Sequence, residues 1–318
     1  MIRPAIAFLS LAVPATAGDF SLQSPIACDL ASDCHIQQYV DHDPGPGARD
    51  FTCQGQSYDA HKGTDFAIPD LARMAEGVPV RAAAPGVVLS LRDGMADTRY
   101  SEATAAATEG RECGNGLIIE HAGGWTTQYC HLRQGSLVVT PGQTVEAGTP
   151  LGAVGMSGQA QFPHLHLTLR HDGSVVDPFD PTGVIDCDTP EANTLWQKPL
   201  PYRPGGIISL GITPEMPSYD AVKAGALPRP GTEAPALVLY GYFFSTRAGD
   251  VIELSLTGPD GPVADQRIAL DKPQAQLFRA VGRKRPRIGW SPGQYTGTAR
   301  LMRGDNPVES RKITLDLP

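Results

Sequence analysis

The feature that most constrains the fold is a series of short segments with strand-like composition, separated by turn residues. Candidate strands occupy, in chain order, residues 64–67, 79–83, 86–91, 117–121, 125–132, 136–139 and 165–170. The tripeptide AGG at 122–124 joins two of these segments as a hairpin. Segments this short and closely spaced predict a compact all-β domain, which we assign to residues 57–190.

A second unit follows a link at residues 191–203. In VIELSLTG, at 251–258, apolar and polar residues alternate before the PDG turn, and RKITLDLP closes the chain in the same way. Alternation at this spacing predicts a small antiparallel β-sandwich over residues 204–318. This unit contains neither histidine nor cysteine, so it offers no obvious metal or redox chemistry.

The amino terminus has the composition of a secretory signal peptide. MIRPAIAFLSLAVPATA combines one basic residue, an apolar run and a small-x-small site, which predicts cleavage after Ala17. No later stretch approaches the roughly 20 apolar residues of a membrane span. We therefore expect a periplasmic or secreted protein without a membrane span, which begins with an irregular extension at 18–56.

The cysteines and the net charge agree with this class. Six cysteines suit disulfides in an oxidising compartment but allow about 15 pairings. We favour Cys28–Cys34 by proximity, Cys113–Cys130 across a hairpin, and Cys53–Cys187 by remainder. The formal net charge of −8 argues against a nucleic-acid binder, because such proteins normally carry a basic excess. The oligomeric state stays open.

FPHLHL, at 162–167, places two histidines on one face of a predicted strand. Side chains at i and i+2 share a face, so His164 and His166 point the same way about 6.6 Å apart, while Leu165 points oppositely. This separation is too large for a hydrogen bond between the rings. It suits one imidazole that binds a metal and another that works beside it.

Two further segments carry metal-type ligands. HKGTD supplies His61 and Asp65, and we expect Gly63 to adopt positive φ so that a loop can bend between them into a strand. Two imidazoles and one carboxylate, with an open fourth position, form a catalytic zinc arrangement. His61, Asp65 and one histidine of HLH would supply it.

His131 lies in YCHL, a segment of the predicted strand at 125–132. Strict alternation places Tyr129 on the same face as His131 and Cys130 on the opposite face. We therefore expect Cys130 to lie outside any site that contains His131, which excludes a Cys-His nucleophilic pair.

Five short motifs occur in a set order: HKGTD, GNGLIIEH, YCHL, VEAGTPLGAVGMSG and PHLHL. In this order they resemble the zinc metallopeptidases of the lysostaphin and LytM type, family M23. The resemblance covers roughly residues 56–180 and implies a compact M23/LytM-type β-sheet catalytic domain. It also implies that His61, Asp65 and His166 bind Zn²⁺ and that His131 and His164 form the catalytic pair.

The resemblance implies an exported zinc metalloendopeptidase that hydrolyses peptide bonds in peptidoglycan cross-links. The alternative within the same family is a non-catalytic wall-binding protein or an activator of other wall hydrolases. The VEAGTPLG hairpin also suggests a lipoyl or biotinyl carrier, but Lys62, the one lysine of the first domain, lies in the metal motif. The sequence departs from the family in GQAQF before PHLH and in the segments that precede His61 and follow Leu91, so substrate choice stays open.

Two segments outside the motifs are candidates for regulation. The insertion between Leu91 and Gly114 is long enough to form a helix or a loop that acts as a lid. The extension before Tyr58 contains His35, His42 and several aspartates. Any of these residues would hold the enzyme latent if it occupied the fourth zinc position.

Overall fold

The computed structural model describes residues 20–184, 187 and 194–318, so the predicted signal peptide and its cleavage site lie outside the described residues. The strands in this part of the chain are β1 (His35–Gln38), β2 (Thr64–Ala67), β3 (Pro79–Arg81), β4 (Gly86–Arg92), β5 (Asn115–Glu120), β6 (Trp125–Leu132), β7 (Thr144–Val145), β8 (Pro150–Ala153), β9 (His164–His171), β10 (Ser174–Val176), β11 (Gly206–Thr213), β12 (Ala236–Thr246), β13 (Val251–Gly258), β14 (Gly261–Ala269), β15 (Gln274–Lys284), β16 (Gly293–Arg303) and β17 (Asn306–Leu317). The helices are α1 (Leu71–Glu76), α2 (Ala105–Thr108) and α3 (Tyr219–Ala224). The predicted all-β class is confirmed.

The first domain is built on a large antiparallel sheet with the strand order β1-β2-β9-β6-β5-β4-β7, to which β10 adds on β9. Strand β9 shows how the sequence fixes this sheet. Leu165, Leu167 and Leu169 are at most 1% exposed and pack into the core, while the alternate side chains face the opposite side. Burial of each leucine contributes roughly 1.5–3 kcal/mol, and a one-residue slip would place His164, His166 and Thr168 in the core instead.

The sequence predicts an irregular extension before Tyr58, but this segment contains a strand. Residues His35–Gln38 form an edge strand that pairs antiparallel with β2, and Ile36 reaches the main core. The strand is only four residues long and contains a register shift, so alternation could not reveal it. The extension therefore belongs to the same sheet as β2 and β9.

The predicted strand at 136–139 is wrong. These residues form no strand, although Val138 N donates to Leu151 O at 3.0 Å. The hydroxyl oxygen of Ser136 accepts the backbone N–H of Ala153 at 3.1 Å, so a side chain takes the place of a ladder partner. The hairpin at 122–124 is confirmed, with Gly123 and Gly124 both at positive φ.

The three disulfides match the favoured pairing. Cys28–Cys34, Cys53–Cys187 and Cys113–Cys130 are all bonded, with Cα–Cα distances of 6.2, 5.7 and 4.8 Å. Cys53–Cys187 ties the extension to the segment after β10. Cys113–Cys130 joins the insertion to β6 at the rim of the candidate site.

The second unit consists of two antiparallel sheets, β11-β12-β15 and β14-β13-β16-β17, as expected for a sandwich. Their facing side chains form a core of their own, which includes Leu239, Phe243 and Leu254. Between the two units, Trp196 and Tyr202 pack on the first core, and the Tyr202 hydroxyl donates to Asp50 at 2.9 Å. None of the helices in the described residues is long and apolar enough to cross a bilayer.

Candidate metal centre

Three side chains from β2, β9 and the loop before β2 converge on one point. His61 Nε2 lies 3.2 Å from Asp65 Oδ1 and 3.1 Å from His166 Nδ1, and His166 Nδ1 lies 2.8 Å from the same carboxylate oxygen. Asp65 and His166 are direct cross-strand partners in the β2–β9 ladder, which places both on one face. The predicted metal ligands therefore form a single cluster.

The hydrogen bonds behind the two imidazoles decide which nitrogen faces this cluster. His61 Nδ1 donates to the backbone oxygen of Tyr39 at 2.6 Å, and His166 Nε2 lies 2.9 Å from the hydroxyl oxygen of Thr168, which accepts when Nε2 carries the ring proton. The opposite ring nitrogens therefore present lone pairs to the cluster. The Tyr39 carbonyl fixes the tautomer of His61, and the Thr168 hydroxyl supports the matching tautomer of His166.

This arrangement fits a zinc ion. Two imidazole lone pairs and a carboxylate oxygen about 3 Å apart repel one another unless a proton or a cation lies between them. The ligand atoms of a tetrahedral Zn²⁺ with bonds near 2.0–2.1 Å lie about 3.3–3.4 Å apart, close to the observed separations. Two nitrogens and one oxygen are also a donor set that suits zinc.

The predicted catalytic histidines lie beside the cluster. His131 and His164 have ring centroids 4.6 Å apart, and His164 Nε2 lies 3.7 Å from Asp65 Oδ1. Their Nδ1 atoms donate to the backbone oxygens of Ser157 and Phe162, both at 2.8 Å. Both Nε2 atoms are therefore left with lone pairs, and both rings line the same cleft. All five predicted site residues come together.

The pKa shifts in the site favour an ionised carboxylate and neutral catalytic imidazoles. Burial, followed by the charges of His164 and His166, holds the pKa of His131 well below its ordinary value. Burial also lowers the pKa of His164, although Asp65 opposes the shift. Burial alone would raise the pKa of Asp65, but His61, His164 and His166 together hold it well below its ordinary value. The site therefore combines a charged carboxylate with two neutral imidazoles.

The expectation that Gly63 adopts positive φ is wrong; a glycine is required here because a side chain would not fit. Its φ is not positive, and the positive-φ residue of this loop is Ala60, at 60°. A Cβ atom on Gly63 would lie 2.6 Å from His166 Nε2 and 2.6 Å from the backbone oxygen of Leu167. Any larger residue would push the His166 ring out of place. A loop that enters a strand, as predicted, is confirmed for this segment.

The expected orientation of Cys130 is wrong. Cys130 is the cross-strand partner of His166 and lines the cleft, whereas the Tyr129 hydroxyl points into the core and accepts the N–H of Ala83. Alternation fails here because His131 has a φ of 62°, which returns its side chain to the face of Cys130. A Cys-His nucleophilic pair is still excluded, because Cys130 is bonded to Cys113.

The residues that support the site from behind were not predicted. Thr168 follows His166 by two residues on the same strand, so the i+2 rule could have found it. Tyr39 and Ser157 contribute backbone oxygens from distant segments, for which the sequence carries no signal. His35 and His42 do not line the cleft, and they hydrogen bond instead to Gln37 and Asp177. Neither of these histidines occupies the fourth zinc position.

The cleft around the five residues has a volume of about 750 Å³. Tyr58 packs on His61 and Phe162 stacks on His164, with ring centroids 4.4 Å apart in both pairs. Tyr100 and Glu112 of the insertion border the same cleft.

The family model for Peptidase family M23 matches residues 59–178, which contain all five residues of the site. These residues form an M23 domain. The cell division protein DipM of Caulobacter vibrioides is 33% identical over 125 residues, which cover 38% of this chain and 19% of that protein. The DD-carboxypeptidase/endopeptidase Mpg of Neisseria meningitidis is 33% identical over 133 residues, 41% of this chain and 24% of that protein.

The chain thus spans about a fifth to a quarter of the length of these two curated relatives. Among solved structures, a zinc containing peptidase from Vibrio cholerae shares 27% identity over 44% of this chain and 38% of that chain, with a TM-score of 0.29. The extension before residue 59 and the sandwich at 204–318 lie outside the residues that match the family model.

Proposed function

We propose that this chain is an exported zinc metalloendopeptidase that hydrolyses peptide bonds in peptidoglycan cross-links. The observation that carries the proposal is the meeting of three ligand atoms, from His61, Asp65 and His166, beside two neutral imidazoles, His131 and His164. The M23 match and the peptidase name of the Neisseria relative support it.

His61, Asp65 and His166 would hold the metal. When bound, Zn²⁺ supplies Lewis acidity, which polarises a peptide carbonyl and lowers the pKa of coordinated water toward about 7. Thr168 and the Tyr39 carbonyl keep the two imidazoles in the required tautomers.

His131 and His164 would move the proton. Their low pKa values keep them neutral near pH 7, and their Nε2 lone pairs can accept a proton from the attacking water and return it to the leaving nitrogen. In their protonated forms, the Nε2–H groups can donate to the oxyanion of the tetrahedral intermediate. We assign the two histidines jointly to these roles.

The test is mass spectrometry of the fragments that the zinc-loaded mature protein releases from purified peptidoglycan, with His131→Ala as the control. We expect loss of cross-linked fragments with the wild type alone, and the new ends identify the bond. Intact cross-links in both samples would contradict an endopeptidase and favour a wall-binding protein or an activator.

Export is supported by the signal-like first 17 residues and by three disulfides in the described part of the chain. Expression with a carboxy-terminal tag, followed by fractionation and amino-terminal sequencing, tests it. We expect a periplasmic or secreted protein that begins at Gly18. An uncleaved chain in the cytoplasm would contradict export.

A further inference from the structure

A groove of about 480 Å³ runs along the junction of the two units. One wall comes from the extension and the other from the sandwich. The lining residues that carry the argument are Gln38, Gln54, Gln56, Arg247, Gln274 and Ala275. All six lie outside the region that matches the M23 model.

The groove continues into the catalytic cleft, because Gln38 and Ala275 line both. Gln38 is the cross-strand partner of the metal ligand Asp65, so its side chain lies on the same face of the sheet. No hydrogen bond joins the Gln38 amide to another described residue, although many nearby amides are paired. Gln38 thus presents a free donor and a free acceptor where the two cavities meet.

The sandwich wall is held rigidly against the extension. Gln37 Nε2 donates to the backbone oxygen of Ala275 at 3.0 Å, and Gln276 Nε2 donates to Gln37 Oε1 at 3.0 Å. Arg247 Nη1 donates to Gln54 Oε1 at 2.7 Å across the groove. A ligand would therefore meet a preformed surface, which lowers the entropic cost of binding.

The lining is rich in amide groups and low in charge. Arg247 is the one ionic side chain among the described residues that line the groove. Four of the lining residues that carry the argument, Gln38, Gln54, Gln56 and Gln274, contribute side-chain amide groups. Amide donors and acceptors match the N–H and C=O groups of an extended peptide.

We propose that this groove binds the stem peptide of the wall polymer on one side of the bond that the metal centre cleaves. Gln38 is a positioning residue: its amide would hydrogen bond to the peptide where the groove meets the cleft. The inference rests on the proposed function for the identity of the polymer. It explains why the extension and the sandwich accompany the M23 domain: each supplies one wall of a subsite that the domain lacks.

The test uses the full-length mature protein and substrates without a cleavable cross-link. Uncross-linked tetrapeptide stems, released from purified peptidoglycan by an amidase, are titrated calorimetrically, and dipeptides trimmed from them serve as short ligands. The variants are Gln38→Met and Gln274→Met, which keep side-chain length, and Gln266→Met, a control on the exposed face of β14. Thermal unfolding verifies that each variant is folded. Hydrolysis of cross-linked peptidoglycan is measured in parallel.

We expect Gln38→Met and Gln274→Met to weaken tetrapeptide binding about five- to tenfold, the loss of one or two hydrogen bonds, while Gln266→Met binds like the wild type. Dipeptide binding should be insensitive to Gln274→Met. If both groove variants bind like the wild type while the wild type hydrolyses cross-links, the groove proposal is wrong and the proposed function stands.

Groove-dependent binding without hydrolysis would support the groove and overturn the endopeptidase. Wild-type protein that binds sugar-only glycan strands but no stem peptide would overturn the groove as a peptide subsite. Absence of both binding and hydrolysis would overturn both proposals.

Discussion

Among the described residues, His121 and the histidines of the cleft differ in what their ring nitrogens contact, although most of them are buried. At His121, directly after β5, Nδ1 hydrogen bonds to the Pro85 carbonyl and Nε2 to the Thr127 hydroxyl, so both nitrogens have neutral partners. At His61 and His166 only the rear nitrogen has a neutral partner, and the front nitrogen faces a shared carboxylate. Burial alone therefore says little about function.

The difference lies in the second ring nitrogen. A histidine of the site has a neutral hydrogen-bond partner on one nitrogen only, whereas a packing histidine has neutral partners on both. His121 is satisfied by the fold and contributes to packing. The histidines of the cleft are held from behind and completed by a cation or by a substrate.

The largest effect is expected from His166→Ala. Loss of one of three ligands should abolish stoichiometric zinc binding and reduce hydrolysis to background, because two ligands hold the ion weakly. The matched control is His121→Gln, which should lower the thermal midpoint and leave zinc content near one per chain. Zinc by elemental mass spectrometry and fragment release measure the two effects. Equal zinc loss in both variants would contradict the assignment of His166 as a ligand and of His121 as a packing residue.

The next effect is expected from His131→Ala and His164→Ala. Each should lower kcat by about 10²- to 10⁴-fold, the usual contribution of a positioned proton-transfer group, and keep its zinc. Steady-state kinetics on a soluble cross-linked peptide, together with zinc analysis, check this. A variant that loses zinc as well would show that its imidazole is a metal ligand.

A smaller effect is expected from the rear partner of His166. Thr168→Val removes the hydroxyl that accepts from His166 Nε2 and should weaken zinc affinity about 10- to 100-fold. Thr127→Val makes the same change behind His121 and should affect stability without altering zinc affinity. Competition with a zinc chelator measures both. Identical affinities in the two variants would argue against support from behind.

The smallest effect on zinc binding is expected at His35, a buried histidine at the junction that packs against Phe244, because its titration changes stability instead. Burial, only partly offset by the Gln37 hydrogen bond, lowers its pKa to about 3. Between pH 6.5 and 3 the unfolded chain binds a proton that the folded chain does not. The free energy of unfolding should therefore fall by about 1.4 kcal/mol per pH unit as the pH drops through this window.

His35→Phe keeps an aromatic ring against Phe244 and removes the titrating group. The free energy of unfolding of this variant should therefore change with pH less steeply, by the slope that corresponds to about one proton. Urea unfolding of both proteins at several pH values measures the slopes. Parallel slopes would mean that His35 titrates alike in the folded and unfolded chains.

Alternation in the sequence could predict the face of the sheet that carries the site. In β9 the leucines and histidines alternate without interruption, so the shared face of His164 and His166 follows from strand geometry alone. The ligand on β2, Asp65, and the order of the motifs could also be predicted from the sequence. These features depend only on residues near one another in the chain.

Predictions failed where the backbone departs from regular geometry or where distant segments meet. The positive φ of His131 reverses the face of its side chain, and the sequence carries no glycine there to announce it. Gly63 could be recognised as necessary, but its reason, the nearby His166 ring, is a tertiary contact. Strand β1 and Gln38 reach the site from an extension without periodicity, so only the folded structure shows them beside Asp65.

The most direct test of the central claim is X-ray diffraction from crystals of the zinc-loaded mature protein, with data collected on both sides of the zinc absorption edge. We predict one anomalous peak bonded to His61 Nε2, Asp65 and His166 Nδ1, with His131 and His164 unligated beside it and no peak at His121 or His35. A hydrolytically active protein with no zinc peak at these three residues would contradict the account.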